Sequence, residues 1–392
     1  MTIKQKLILA IAACMLSLAA VTAALVGVAS QRAVRFAAEQ SVAAAAAGLV
    51  AMEQADVEKL GATLRALAVN PGLIEAFQAR DRARFLAAAG PVFGDLEQAH
   101  GVTHFYVHLP DRTTFVRVHH PDLFGDPVER ATLAQAMATG QLAAGKELGA
   151  TAFALRVVAP WVVAGKTIGY LELGEEIGHF LTRLKAQTGD DYAMLVSKRG
   201  QDGRALLQPD AWRAMEAIQG QPDRWDAFPD FVVVDETAGD LAAISGASLG
   251  AVRPGGQLLE EVSRGARTFA RGLVPVSDAT GAQVGGVVVL HDITQLHDSM
   301  TRAGSGILIT LLAVAILMTL VMLALVQRLV FARLSRMTTT LEDLGARLAG
   351  GEYDVGKLAP TGPKDEIGRF EEFFGEFLVV IGGLVKELTA RR

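Results

Sequence analysis

Two long uncharged runs divide the chain into alternating apolar and polar blocks. Residues 7–31 and residues 303–327 each hold 25 residues without an Asp, Glu, Lys or Arg. A helix of that length can cross a bilayer. Residues 32–302 between them, and residues 328–392 after them, mix polar and apolar positions as folded domains do. The pattern predicts two membrane-spanning helices with a large and a small domain outside the lipid.

Positive charges beside the two runs predict the topology. Lys4 and Lys6 precede the first run, and three arginines open the segment after the second. Cytoplasmic flanks of membrane helices are enriched in Lys and Arg. Residues 1–6 and 328–392 are therefore expected in the cytoplasm, and residues 32–302 outside it.

A cleaved signal peptide is the alternative for the first run. Val28-Ala29-Ser30 has the small residues of a cleavage site, and Arg32 and Arg35 follow the run. The run is nevertheless longer than the apolar core of about 7–15 residues in a signal peptide. An uncleaved anchor is the preferred interpretation.

Helices are predicted at the start of the large block. Residues 33–69 contain no proline and many alanines, the best helix formers. They predict one long helix that ends at Asn70-Pro71-Gly72, where proline and glycine break the pattern. A second, short helix is predicted from Leu73 to Leu86.

The segment 104–120 alternates like a β-hairpin with its turn at Asp111-Arg112. This register opposes Tyr106 to Arg117 and His104 to His119. One face is then apolar: Phe105, Val107, Leu109, Val116 and Val118. The other face is mainly polar: His104, Tyr106, His108, Phe115, Arg117 and His119.

Two further strands are predicted at Ala152–Val158 and Ile168–Leu173. On a period of two, Arg156, Tyr170 and Glu172 each lie on one strand face. A sheet face bearing Tyr, Arg, His and Glu has the side chains to hold a small polar ligand. The alternative is the solvated outer face of an antiparallel sheet.

A weak internal repeat divides the large block. The pattern of Arg156 and Pro160, followed by glycines and a strand, recurs at Arg271 and Pro275. It predicts two related α/β modules, at about 70–180 and about 190–292. The second copy has an apolar strand and no counterpart of Glu172, so the first module is expected to sense and the second to transmit.

The last block carries heptad spacing. Apolar residues recur at steps of three and four in two sets: Leu334, Met337, Leu341, Leu344, Leu348, and Ile367, Phe370, Phe374, Phe377, Ile381, Leu384, Leu388. Each set predicts a coiled-coil seam. One short helix cannot bury such a seam alone, so we expect a parallel four-helix bundle in a homodimer. A plain dimerising coiled coil is the alternative.

Composition narrows the function. The net charge of −5 gives no reason to expect nucleic acid. The single cysteine, Cys14, lies in the first apolar run, so residues 32–302 form no disulfide. Up to Arg392 no kinase core, nucleotide loop or cyclase domain occurs; the chain is expected not to be an enzyme, although a longer parent could be a histidine kinase.

A histidine cluster is the one feature that favours a metal or catalytic site. It comprises His100, His104, His108, His119 and His120. No H-E-x-x-H or similar spacing accompanies it. We therefore predict no metal, no cofactor and no catalytic residue, and keep a metal-binding or catalytic outer domain as an alternative.

Several long phrases resemble the double-Cache sensory domain of bacterial sensor kinases and chemoreceptors. They include THFYVHLPDRTTFVRVHHPDLFGD and LRVVAPWVVAGKTIGYLELGEEI, and the resemblance covers most of residues 35–298. It implies a periplasmic domain of two PAS-like modules that binds its ligand in the membrane-distal one. By position, the implied ligand-binding residues are Tyr106, Arg117, His119, Arg156, Tyr170 and Glu172. Two arginines and a histidine favour an anionic ligand.

The segment behind the second run resembles a HAMP domain. Asp365-Glu366-Ile367-Gly368 opens its second helix, although the early proline of such domains is replaced by Ala332-Arg333-Leu334. Asp292-Ile293-Thr294 resembles the end of a PAS domain and would cap the helix entering the membrane. The expected signal-relay residues are Asp292, Asp365, Glu366, Gly368 and Phe374.

The sequence therefore predicts an α+β membrane protein with two tandem Cache modules on a long N-terminal helix, two transmembrane helices and a HAMP coiled coil. The expected function is a homodimeric receptor in a bacterial inner membrane, which binds a small molecule outside the cytoplasm and signals to a cytoplasmic partner. A membrane scaffold that does not sense is the alternative.

Overall fold

The computed structural model describes residues 3–148, 153–200, 203–218, 222–237, 239, 255–350 and 366–391. They form two compact units. One comprises Ser30–Asp298, and the other comprises Met1–Ala29 together with Ser299–Arg392. Each is described by itself.

The first unit begins within a long helix, α1 (Ile3–Ala68), and includes the part of this helix from Ser30 onward. Asn70 follows it and caps α2 (Pro71–Gln78) by accepting a hydrogen bond from the Leu73 amide. The predicted single helix from Leu73 to Leu86 is wrong. The chain breaks at Arg80, which has a positive φ of 55°, and restarts as α3 (Arg82–His100).

The first sheet is antiparallel and has the strand order β2-β1-β5-β4-β3. Its strands are β1 (His104–His108), β2 (Thr114–Arg117), β3 (Ala143–Leu148), β4 (Phe153–Val163) and β5 (Lys166–Glu176). The predicted strands at 152–158 and 168–173 lie within β4 and β5, although Ala152 is outside the described residues. Helix α4 (Ala131–Thr139) packs against β3 and β4.

The β1–β2 hairpin has the predicted pairing of Tyr106 with Arg117, but a bulge interrupts it after Val107. The bulge shifts the register, so His108 pairs with Thr114. Phe115 consequently turns to the apolar face and meets Phe77 at a ring distance of 5.0 Å. Its predicted place on the polar face is wrong, because the alternation of a strand is lost where an extra residue enters it.

The second sheet repeats the strand order of the first. Helices α5 (His179–Thr188) and α6 (Pro209–Ile218) belong to this part of the chain. The order β7-β6-β11-β10-β8 matches β2-β1-β5-β4-β3, with β9 paired to β10. The strands are β6 (Asp191–Ser197), β7 (Phe231–Glu236), β8 (Gln257–Leu258), β9 (Val262–Arg264), β10 (Arg267–Ser277) and β11 (Gln283–Asp292).

Helix α1 contributes to the cores on both sheets. Leu60 and Leu64 lie in a cluster with α2, α3 and the first sheet, whereas Val42 and Ala45 lie in a cluster with α5 and the second sheet. Burying large apolar side chains contributes about 1.5–3 kcal/mol each. One helix thus packs against both sheets and fixes their positions along its length.

Two helices are long and apolar enough to cross a membrane. They are Ile8–Ala68, with a mean hydropathy of 2.4 in its most apolar window, and Thr294–Ala349, with 2.9. The second comprises α7 (Thr294–Val326), a π-helical turn (Gln327–Phe331) and α8 (Ala332–Ala349). The π-helical turn directly precedes Ala332-Arg333-Leu334. Extra residues in one turn change the direction in which the following side chains point.

The second unit ends in α8 and α9 (Glu366–Ala390), which share a buried ion pair. Arg333 donates to Glu371 through Nε at 3.0 Å and Nη2 at 2.9 Å. The buried positions of α9 each lie one residue after a predicted seam position: Gly368, Glu371, Gly375, Leu378 and Gly382. Much of the predicted seam itself is exposed: Leu334, Leu341, Phe370, Phe377, Leu384 and Leu388.

The residues that the sequence predicts as a signal relay lie in different parts of the structure. The Asp292 carboxylate accepts hydrogen bonds from the Thr294 amide at 2.9 Å and from Arg267 Nε at 2.8 Å, at the start of α7. Glu366 is exposed and Phe374 is half-buried. Asp365 lies outside the described residues.

The close approach of α1 to the second sheet generates a prediction. A Cβ on Gly272 would lie 2.0 Å from Val42 Cγ2, and β-branched Val42 has one favoured rotamer in a helix. Replacing Gly272 by Ala should lower the free energy of unfolding by about 1–3 kcal/mol. Tryptophan fluorescence in urea measures this, because Trp161, Trp212 and Trp225 all lie in this unit.

Gly94→Ala in α3 is the matched control for this variant. A Cβ there meets no atom within 4 Å, so alanine should be neutral or stabilise the helix by about 0.5–1 kcal/mol. Equal urea midpoints for the two variants would contradict the packing of α1 on β10.

Candidate functional site

The polar face of the first sheet brings together three of its strands. Tyr106 of β1 pairs with Glu172 of β5, and His108 pairs with Tyr170. Val158, two residues after Arg156 on β4, pairs with Glu172 from the other side. Side chains on one face of neighbouring strands lie within reach of each other. The sheet therefore places Arg156, Tyr106 and His108 around Glu172.

Glu172 is a fully buried carboxylate with three partners. Oε2 lies 2.9 Å from His108 Nε2, and Oε1 accepts a hydrogen bond from Arg156 Nη1 at 3.2 Å and another from Arg130 Nη1. Burial alone would raise the pKa of Glu172, but the charge of Arg130, the bond to His108 and the charge of Arg156 together lower it well below the ordinary value. Glu172 is therefore ionised and compensated by the two guanidinium groups.

Arg130 lies just before α4 and was not predicted from the sequence. Its Nη2 donates to the Tyr106 hydroxyl at 3.2 Å, and its guanidinium lies 4.5 Å from the centre of the Tyr106 ring. Its Nε is 3.7 Å from Glu147 Oε2. Glu147 also accepts hydrogen bonds from the amide (2.7 Å) and hydroxyl (3.0 Å) of Thr132 in the first turn of α4. Glu147 thus fixes both Arg130 and the helix beside it.

Arg117 binds a carboxylate of its own. Its Nη1 and Nη2 donate to Oδ1 and Oδ2 of Asp126, each at 2.7 Å. This pair of parallel bonds is the arrangement in which a guanidinium recognises a carboxylate most specifically. The bond to Arg117 lowers the pKa of Asp126, although Asp126 itself is exposed.

These charged groups surround a cavity of about 510 Å³. The second module closes one side of it with the β10–β11 turn, whose Ala279 amide donates to the Lys146 carbonyl of β3 at 2.8 Å. The charged and polar side chains lining it are Arg117, Asp126, Glu129, Arg130, Glu147, Arg156, Arg204, Asp278 and Thr280. A cavity of this volume and polarity suits a small polar molecule.

The predicted ligand-binding residues divide into three groups. Arg117 and Arg156 line the cavity. Tyr106, Glu172 and His119 lie on the same sheet face behind them, where Tyr106 stacks between His104 and His108. Tyr170 instead packs in an apolar cluster under α4 with Val128, Leu133, Ala136, Ala143 and Val158.

Three residues were missed: Asp126, Arg130 and Glu147. Asp126 and Arg130 lie in the irregular segment between β2 and α4, which has no hydrophobic period to place them. Glu147 lies on β3, which no pattern predicted. For Arg130, the one available signal was its position directly before the start of a helix.

The histidine cluster lies at the edge of this face. The rings of His104 and His119 are 4.9 Å apart, although β2 ends at Arg117 and the two are not a strand pair. Burial lowers the pKa of His104 to about 2 and that of His119 to about 4. Both rings are therefore neutral in the folded protein near pH 7.

A group with metal-ligand geometry lies elsewhere. Asp56 of α1, Glu175 of β5 and His179 of α5 bring one ligand atom each within 4.8 Å of the others. Lys59 already bonds both carboxylates, at 3.0 Å to Asp56 and 2.7 Å to Glu175. Burial raises the pKa of Glu175 to about 7. We read this group as an ion-pair network that joins α1 to β5 and α5.

The equivalent face of the second sheet is apolar. The register places Val288 of β11 at the position of Glu172 in β5, opposite Leu273. Val288 packs in a buried cluster that includes Phe228 and Phe231. The second module therefore has no carboxylate at this position.

Comparison with known proteins agrees with the resemblance drawn from the sequence. Residues 38–223 match the family described as the double sensory domain of two-component sensor kinases. This match confirms the predicted resemblance to double-Cache sensory domains over that part of the chain. No curated protein matches the sequence.

The solved structures that match this chain include three sensor domains. That of the V. cholerae histidine kinase DctB has 11% identity and a TM-score of 0.39, and covers 67% of this chain and 98% of that one. That of the Campylobacter jejuni chemoreceptor Tlp3 with isoleucine bound has 9% identity, a TM-score of 0.40, and coverage of 69% and 97%. The periplasmic domain of Vibrio cholerae LuxQ has 11% identity, a TM-score of 0.36, and coverage of 64% and 98%.

The buried charge of Glu172 generates a prediction. Glu172→Gln keeps the shape but leaves the buried guanidinium of Arg156 without its counter-charge and leaves Arg130 with Glu147 alone. The free energy of unfolding at pH 7 should therefore fall by about 3–5 kcal/mol. Because folding lowers the pKa of Glu172, its stabilisation is complete above the ordinary value of 4.5 and is lost as the pH falls through the folded pKa. The difference from the unmodified chain should therefore shrink in acid.

Urea unfolding at pH 7 and at pH 3 measures both effects. Glu129→Gln is the control, because Glu129 lies at the same cavity but is exposed, and it should change stability by less than about 0.5 kcal/mol. An equal loss in the two variants at pH 7 would show that Glu172 does not hold the arginines.

Proposed function

We propose that this chain, in which residues 38–223 match a double sensory domain, is a membrane receptor for a small anionic molecule. The observation that carries the proposal is the cavity beside Glu172, where three guanidinium groups, from Arg117, Arg130 and Arg156, converge. Arginine is the side chain best suited to planar oxyanions such as carboxylates.

The arginines of the cavity retain hydrogen-bonding capacity. A guanidinium has five N–H donors, and Arg156 Nε is buried without a hydrogen-bond partner in the described structure. Arg156 itself is nearly inaccessible and is tied to Glu172, so its main role is to hold the positive potential of the site. Arg117 and Arg130 are the groups that a ligand would contact directly.

The position of the cavity supports transmission to the membrane. Its wall includes the β10–β11 turn, and β11 leads through Asp292 into α7. A ligand that contacts both modules favours one arrangement of them over another by its difference in affinity. The sensing module can thereby act on the strand that continues toward the second apolar run.

A buried contact ties the two chain segments that continue into the apolar runs. Ser41 of α1 donates to Asp190 Oδ2 at 2.5 Å, and His291 of β11 lies with Nδ1 2.7 Å from Asp190 Oδ1. A carboxylate only accepts, so His291 Nδ1 donates to Asp190, and this bond raises the pKa of His291. Movement of β11 is therefore coupled to α1.

The exposed apolar residues of α8 and α9 support a homodimer that relays the signal. Within one chain, α8 and α9 bury Arg333, Met337, Leu344, Glu371 and Leu378, and leave much of the heptad seam of α9 exposed. A second copy would bury that seam in a parallel four-helix bundle. The receptor would then sit in a bacterial inner membrane with both termini in the cytoplasm, and a cytoplasmic partner or further domain would read the state of the bundle.

Ligand binding is the first test of this function. The purified chain in detergent is screened by thermal unfolding against carboxylates, amino acids, sulfonates and phosphate. A ligand at about 100 times its dissociation constant should stabilise the folded state by about 2.7 kcal/mol. Arg130→Ala should weaken the binding of that ligand at least about tenfold, because a charge-assisted bond is lost.

Arg84→Ala is the control for this substitution. Arg84 forms an exposed pair with Glu75 on α3 and α2, outside the cavity, and should leave the affinity unchanged. If no compound of these classes raises the unfolding temperature, the chain does not sense an anion, and the membrane scaffold is the better function.

The bundle is tested by cross-linking in membranes. A single cysteine at Leu384, in a Cys14→Ser background, should form a disulfide between two copies. Phe374→Asp would place a charge in the seam and should reduce the cross-linked fraction at least about fivefold. Val379→Asp is the control, because Val379 is exposed and lies away from the seam. Equal cross-linking in both variants would contradict the seam.

A further inference from the structure

Asp126 already occupies one anion-binding position of the cavity, the guanidinium of Arg117. Both of its carboxylate oxygens accept hydrogen bonds from Arg117, each at 2.7 Å. Arg117 and Asp126 both line the cavity. A carboxylate of the protein therefore lies where the proposed function, on which this inference rests, requires a carboxylate of the ligand.

Asp126 differs from the other two carboxylates of the site in how it is held. Glu172 is fully buried with three partners, and Glu147 is bonded to the start of α4 through Thr132. Neither can leave without exposing an unpaired buried cation or helix end. The side chain of Asp126 is half-exposed, so water can solvate its carboxylate as soon as it leaves Arg117.

The backbone of Asp126 is anchored independently of its side chain. Its carbonyl accepts a hydrogen bond from the Thr114 amide at 2.9 Å, and the preceding Gly125 amide donates to the Thr114 carbonyl at 2.9 Å. Pro127 forms a β-bridge with Thr113. Rotation about the side-chain bonds of Asp126 thus frees Arg117 while the segment stays in place.

We infer that Asp126 is an internal competitor for Arg117 and that a ligand carboxylate takes its place. The ligand binds only the fraction of molecules in which Asp126 has released Arg117, which weakens the observed affinity by the inverse of that fraction. The two parallel bonds also select the ligand: a planar group with two oxygens replaces both, whereas a spherical anion such as chloride replaces neither well. Asp126 thereby sets both the affinity and the chemical class of ligand.

The test compares Asp126→Asn with Glu129→Gln in the full chain in nanodiscs. Each variant removes one negative charge from the cavity lining, but only Asp126 is bonded to Arg117. Acetate, succinate and citrate are the probes, chloride is the spherical control, and ionic strength is constant throughout. Dissociation constants come from calorimetry, and near-ultraviolet circular dichroism verifies the fold.

We expect Asp126→Asn to bind the tightest of these carboxylates about tenfold more tightly than the unmodified chain, because the competitor is gone. Glu129→Gln should change the affinity by less than about twofold, through its long-range charge alone. Chloride should gain nothing in either variant. Arg117→Ala should abolish the gain when combined with Asp126→Asn.

Three results would overturn the inference. They are an equal gain in Asp126→Asn and Glu129→Gln, a loss of affinity in Asp126→Asn, and no binding of any of the three carboxylates to either chain. In the last case, binding of a sulfonate or phosphate in the broad thermal screen would leave the receptor function intact. If the thermal screen finds no ligand at all, the proposed receptor function is contradicted as well.

Discussion

A carboxylate that is fully buried must be compensated by charges inside the protein, because water cannot reach it. In the first module that carboxylate is Glu172, and the requirement organises the whole polar face of the first sheet. It brings Arg156 from β4, His108 from β1 and Arg130 from the start of α4 to one point. Three segments far apart in sequence are thereby fixed relative to each other. The guanidinium groups of Arg130 and Arg156, which line the cavity, are therefore held in fixed positions by Glu172.

That arrangement explains why the site is polar although not every N–H group of its arginines has a hydrogen-bond partner among the described residues. Glu172 holds Arg130 and Arg156, while Arg117 is neutralised by a carboxylate that is half-exposed. Charges of both signs line the cavity. The guanidinium of Arg117 already has a bidentate partner in Asp126, and the proposed ligand would compete with this partner.

The second module has the strand order of the first, but the equivalent face of its sheet is apolar. Its sheet has the same strand order, yet Val288 and the phenylalanines near it fill the face that is polar in the first module. An apolar face packs firmly and needs no counter-charges. The β10–β11 hairpin of this module reaches the cavity at one end and the start of α7 at the other, and α1 packs in both cores. Within the unit Ser30–Asp298, β10, β11 and α1 therefore connect the wall of the cavity to the core of the second module.

The sequence by itself determined the secondary-structure elements and their buried faces where apolar residues recur at regular spacing over a long enough segment. The two apolar runs, the alanine-rich α1, the pairing of Tyr106 with Arg117 and the repeat of Arg156 at Arg271 all follow from local spacing. The tertiary structure alone decided what lies beside what. The bulge after Val107 moved Phe115 to the core, and the irregular segment before α4 brought Asp126 and Arg130 to the cavity. Such residues have no period, because their positions depend on the charges they meet across the fold and not on their neighbours in the chain.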